Sequence, residues 1–126
     1  MKKYIIYHMP WQLLLVAIFI QSSFGNMNMI DLGFSFQDKF LHFLVFGILA
    51  LLMARSFKKS NLRFFNKYYH ILAIILTGIY GIVDEYHQYF IPGRYSAVGD
   101  WLADLIGAIV FIIIFYYWER WNYLKA

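Results

Sequence analysis

The sequence predicts an all-α integral membrane protein of four transmembrane helices, with both termini cytoplasmic and a polar pocket at the outer face. Three observations carry that expectation. Of the 126 residues, 62% are hydrophobic and only 14% are charged, whereas a soluble domain carries about a quarter charged residues. The apolar residues fall into stretches of about 20, the length that crosses a hydrocarbon core of about 30 Å. Finally, the ionisable residues gather at the ends of these stretches. Asp38, Lys39 and His42 open one, Asp84, Glu85, His87 and Gln88 close the next, and Asp100 and Asp104 open the last, with Arg94 in the short connection before it. Alternating helix direction brings all three polar ends to one membrane face. Ionisable groups in a bilayer are costly and normally face a protein interior or a wet cavity, so this convergence marks the candidate site.

The whole chain, 1–126, reads as a single membrane domain. Its first helix is expected over 4–24, after Lys2 and Lys3. A basic start before an apolar run also describes a signal peptide. The run 11–20, however, is followed by Gln21-Ser22-Ser23-Phe24-Gly25-Asn26, which is not a clear small-x-small cleavage pattern, and a retained helix is expected. Pro10 stands near its start, where proline's missing donor is tolerated. A polar loop containing Asp31 leads to the second helix, 38–57, for which Asp38 is a suitable N-cap.

The next connection supplies the orientation. Arg55, Lys58, Lys59, Arg63 and Lys67 follow one another without an acid between them, and such loops stay in the cytoplasm. The third helix is expected over 69–90 and ends at Ile91-Pro92-Gly93-Arg94. The fourth covers 100–118, where Trp118 and Trp121 form an interfacial belt and Arg120 and Lys125 follow. The loops after the first and third helices therefore face outward. These cytoplasmic cations account for the net charge of +4, and no nucleic-acid motif competes with that explanation. The absence of cysteine removes disulfides and thiolate metal sites.

The third helix also sets the depth of the polar groups. Its uninterrupted apolar run, 71–83, is too short to span at about 1.5 Å per residue, so Asp84 and Glu85 must enter the membrane by roughly one turn. Asp38 and His42, Asp84 and Gln88, and Asp100 and Asp104 are spaced four apart and share faces. Asp84 and Glu85 point about 100° apart and need not line one cavity. Carboxylates this close repel unless Lys39, Arg94, a protonated histidine, a bound cation or a neutralised carboxyl offsets them. Ala50, Ala54, Gly78, Gly81, Ala103 and Gly107 are read as ordinary small-residue packing.

Together these residues resemble the VanZ-like family of small bacterial membrane proteins. The resemblance rests on Asp38-Lys39-x-x-His42-Phe43, Asp84-Glu85-x-x-Gln88, Pro92-Gly93-Arg94 and Asp100-x-x-x-Asp104-x-x-Gly107, and it covers the second to fourth helices. Position 104 is often Asn in the family, so Asp104 adds a charge. The resemblance implies a place in the bacterial cytoplasmic (inner) membrane. It also implies an association with teicoplanin resistance that works without remodelling the peptidoglycan precursor terminus. It supplies no reaction and no oligomeric state.

Three functions are therefore weighed. A binding protein would use Arg94, Lys39 and the histidines to hold a phosphate or carboxylate head group of a lipid or a lipid-linked cell-wall component, or to meet a glycopeptide. The plain structural alternative is that Arg94 pairs with Asp84, Asp100 or Asp104. A membrane enzyme acting on a lipid-linked or phosphate-bearing precursor would use His42 as proton shuttle and Asp84 or Glu85 as base. No cofactor is assigned; a divalent metal held by His42, Asp84, Asp100 and Asp104 is chemically suitable, but no H-E-x-x-H supports a metal site and no nucleophile elbow supports a hydrolase. A purely structural network is the third. The candidate residues common to all are Asp38, Lys39, His42, Asp84, Glu85, Gln88, Arg94, Asp100 and Asp104.

Overall fold

The computed structural model of the chain describes residues 1–25, 33 and 36–126. Among these residues the fold is all-helical and contains no strand. The loop expected before the second helix, with Asp31, lies largely outside the described residues.

The first apolar segment forms two helices, α1 (Lys2–Tyr7) and α2 (Met9–Ser22), in place of one. Pro10 explains the interruption at His8. It has no N–H to offer the carbonyl of residue 6, and its ring crowds that same carbonyl. His8 instead closes α1 by donating its backbone N–H to the Tyr4 carbonyl at 2.8 Å. Next comes α3 (Gln37–Lys58), then a short helix within the basic connection, α4 (Arg63–Lys67). The Asn66 side chain ties α4 back by donating to the Lys58 carbonyl. The last two helices are α5 (Tyr69–Tyr89) and α6 (Val98–Lys125). The latter runs past the expected end at 118, because no glycine or proline follows Gly107 to stop it.

The central helix is α3, packed along α6 and α5, with α2 on a further side. Its buried stripe of Phe46, Leu49, Ala50, Met53, Ala54 and Phe57 repeats at helical spacing. The backbones of α3 and α6 approach closely at Gly107, where a Cβ would stand 2.1 Å from the Phe43 carbonyl oxygen. Only glycine lets α3 and α6 meet there, and this contact sets the start of α6 beside the start of α3.

The surface chemistry is that of a membrane protein. α3 and α6 are each long and apolar enough to cross a membrane, and α2 is apolar but shorter. In α5, Asp84, Glu85 and Gln88 are 4%, 7% and 4% exposed, whereas Ile79, Ile82 and Val83 are each more than half exposed. Polar-in and apolar-out is the reverse of what water selects. It is what a hydrocarbon surrounding selects, since buried polar groups must then find partners inside the protein.

Candidate functional site

Three helix ends build the candidate site. The first turns of α3 carry Asp38, Lys39 and His42, the last turns of α5 carry Asp84, Glu85 and Gln88, and the first turns of α6 carry Asp100 and Asp104. Arg94 sits in the turn between α5 and α6, which closes with the Arg94 N–H donating to the Ile91 carbonyl at 3.1 Å.

Two cross-helix pairs join α3 to α6. Lys39 Nζ donates to Asp100 Oδ1 at 3.0 Å, and His42 Nδ1 lies 2.9 Å from Asp104 Oδ1. The residues in each helix are three or four apart, so the two pairs stack one turn above the other. Asp104 is fully buried, and it is held against α5 where Gly81 leaves space. A Cβ at position 81 would come within 2.8 Å of Asp104 Oδ2.

The adjacent acids of α5 diverge as their helical angle requires. Asp84 turns toward α2 and accepts from Ser22 Oγ at 2.5 Å and from Gln88 Nε2 at 2.9 Å. Glu85 turns toward α6, where its Oε2 accepts the Ala97 backbone N–H at 2.9 Å. Each acid thus anchors a different neighbour. Two carboxylate oxygens are left over: Glu85 Oε1 and Asp104 Oδ2 are buried without a hydrogen-bond partner.

Arg94 behaves differently from the structural alternative that pairs it with an acid. Its Nη2 donates to the Gln21 carbonyl at 2.9 Å, and among the described residues it forms no ion pair. Its Nε is buried without a partner. Arg94 lines a cavity of about 280 Å³. Leu14, Ala17, Ile18, Leu41, Val45 and Phe46 form the apolar wall, and Gln21, Asp38, His42 and Asp84 join Arg94 at the polar end. This shape suits an amphipathic guest.

The contribution of α2 is the part that the sequence concealed. Gln21, Ser22 and Ser23 all join the site, Ser23 through its hydroxyl 2.9 Å from His87 Nε2. Phe19 stacks on the same imidazole with centroids 4.7 Å apart. The available signal was the polar triplet that ends the first apolar run. At the opposite end of the bundle Glu119 accepts from Lys58 Nζ at 2.6 Å and from the Tyr69 hydroxyl at 2.7 Å. His8 and Trp11 both meet the Ser56 hydroxyl there.

The donor chemistry also permits a cation. His42, Glu85 and Asp104 each place a ligand atom within 4.8 Å of the others, as do Asp38, His42 and Asp100. Asp84 belongs to neither group, being engaged by Ser22 and Gln88.

No curated protein matches the sequence, and no solved structure matches it. A family model described as VanZ/LLP1 matches residues 4–119, which spans all six helices in whole or in part. The match includes α2, whose serines and glutamine complete the site, so the whole constellation falls within the matched region. On that match the chain belongs to the VanZ-like family.

Proposed function

We propose that this VanZ-like protein recognises an anionic envelope lipid, or a lipid-linked cell-wall component, at the outer leaflet of the bacterial cytoplasmic membrane. Four segments (α1 with α2, α3, α5 and α6) cross the bilayer, both termini and α4 lie in the cytoplasm, and the polar end faces outward. The basic run from Arg55 to Lys67 supports this orientation.

One observation carries the reading: Arg94 lines an apolar-walled cavity without a carboxylate partner among the described residues. A guanidinium offers a planar fork of donors to phosphate or carboxylate. The apolar wall below it accommodates the start of an acyl or isoprenoid chain. Through this contact the protein contributes to protection against glycopeptides such as teicoplanin, as the family resemblance implies.

The test is the lipid that accompanies the protein through mild detergent purification. Wild type is expected to retain anionic lipid, and Arg94→Ala to retain at least about tenfold less, one lost charged contact. Equal retention counts against the reading. The teicoplanin arm is separate: a deletion strain complemented with Arg94→Ala, at equal membrane level, is expected to be as susceptible as the deletion.

A second reading keeps one observation of its own. His42 lines the cavity while its Nδ1 meets Asp104, the arrangement that orients an imidazole for proton transfer. In this reading the bound lipid is turned over. Incubation with envelope lipid extract, followed by mass analysis, would then give a product that His42→Gln does not form.

A further inference from the structure

We infer that His42, Glu85 and Asp104 form a binding site for one divalent transition-metal ion, buried between α3, α5 and α6. This goes beyond lipid recognition and does not depend on it. The three residues come from three helices, and their ligand atoms lie within 4.8 Å of one another. An ion that takes nitrogen or oxygen at about 2.1 Å draws its donors roughly 3–4 Å apart. Side-chain adjustments close that distance.

Independent of the clustering, two of the three residues carry a spare, buried acceptor. Glu85 is 7% exposed and its Oε1 has no partner; Asp104 is 0% exposed and its Oδ2 has none. Buried polar atoms are nearly always satisfied, and a pair of orphaned carboxylate oxygens on adjoining helices is an unanswered demand for positive charge. Their other oxygens are already fixed, by the Ala97 N–H and by His42. One oxygen of each carboxyl is therefore anchored before an ion arrives, and the free oxygen is left to turn toward it.

Charge and ligand type select the guest. Two carboxylates and a neutral imidazole balance a dication, and one nitrogen with two oxygens suits Zn²⁺ or Mn²⁺ better than Mg²⁺, which takes oxygen and water. The neighbouring group of Asp38, His42 and Asp100 is the weaker choice. Lys39 Nζ already occupies Asp100 at 3.0 Å, and an ammonium there repels a second cation. The space beside Asp104 is kept by Gly81, where a Cβ would intrude on Oδ2.

The test is metal content after chelator treatment, reloading with ZnCl₂ or MnCl₂ and removal of excess. Wild type is expected to hold one equivalent of Zn²⁺ or Mn²⁺. Glu85→Gln and Asp104→Asn, which keep side-chain size, are expected to weaken retention by at least about tenfold. Asp84→Asn and Arg94→Ala are expected to keep the metal. Loss of lipid with retained metal in Arg94→Ala would separate this site from the lipid reading. Helicity and elution volume establish that each variant is folded. Should a ligand variant fail to fold, the wild type alone decides: a stoichiometric ion that raises its melting temperature supports the site. Absence of stoichiometric Zn²⁺ and Mn²⁺ from the reloaded wild type overturns it, as does unchanged retention in both ligand variants.

Discussion

Asp104 is completely buried, and its one partner among the described side chains is His42 at 2.9 Å. Removing that partner leaves a buried carboxylate without its hydrogen bond. His42→Ala is therefore expected to destabilise the protein by about 3–5 kcal/mol, read by denaturant unfolding in detergent. Lys39→Ala is expected to cost less, because Lys39 is 46% exposed and solvent can approach Asp100 in its absence. Most of this residue-level pattern was legible. Spacing of four placed Asp38 with His42 and Asp84 with Gln88 on shared faces, and the 100° step between Asp84 and Glu85 separated their roles. The identity of each partner was not legible. Nothing in the linear order says that Asp84 meets Ser22, or that Glu85 meets a backbone N–H at Ala97, since both contacts depend on how helices distant in sequence rotate against one another.

Among the helices, α3 organises the fold and small residues determine how close the others come. Gly107→Ala places a methyl group 2.1 Å from the Phe43 carbonyl oxygen and must push α6 away from α3. An overpacking cost of about 1–3 kcal/mol is expected, with a lower melting temperature, whereas Ile106→Leu on the exposed face is expected to change little. For α2 the decisive contact is polar. Ser22→Ala removes a buried donor to Asp84 and is expected to cost about 1–3 kcal/mol. It should also loosen α2 from α5, seen as earlier proteolysis of the N-terminal segment. Apolar stretches of spanning length and the Pro92-Gly93 break located the long helices, because those signals are local. The split at His8, the short α4 and the extension of α6 to Lys125 were less visible. A proline near a helix start is ordinarily tolerated, so Pro10 alone does not signal the break; α4 lies in a stretch dominated by charge, and α6 beyond 118 carries Glu119, whose partners Lys58 and Tyr69 lie across the bundle.

At the scale of the whole molecule, an apolar exterior encloses a polar end, and orientation decides which compartment that end serves. The chain contains no cysteine, so single introduced cysteines report sidedness without background. Tyr95→Cys, at a residue 89% exposed beside Arg94, is expected to react with a membrane-impermeant maleimide in intact cells. Asn61→Cys, in the basic connection, is expected to react only after lysis; the reverse pattern would turn the polar end to the cytoplasm. Composition and charge placement made the bundle and its polar end foreseeable, but the cavity required α2, whose part in it no spacing rule revealed. The most direct test of lipid recognition is native mass spectrometry of wild type and Arg94→Ala titrated with phosphatidylglycerol and, in parallel, phosphatidylcholine. The expected result is preferential binding of phosphatidylglycerol by wild type and loss of that preference in Arg94→Ala. Equal binding of both lipids by wild type, or an unchanged preference in the variant, would contradict a head-group site at Arg94.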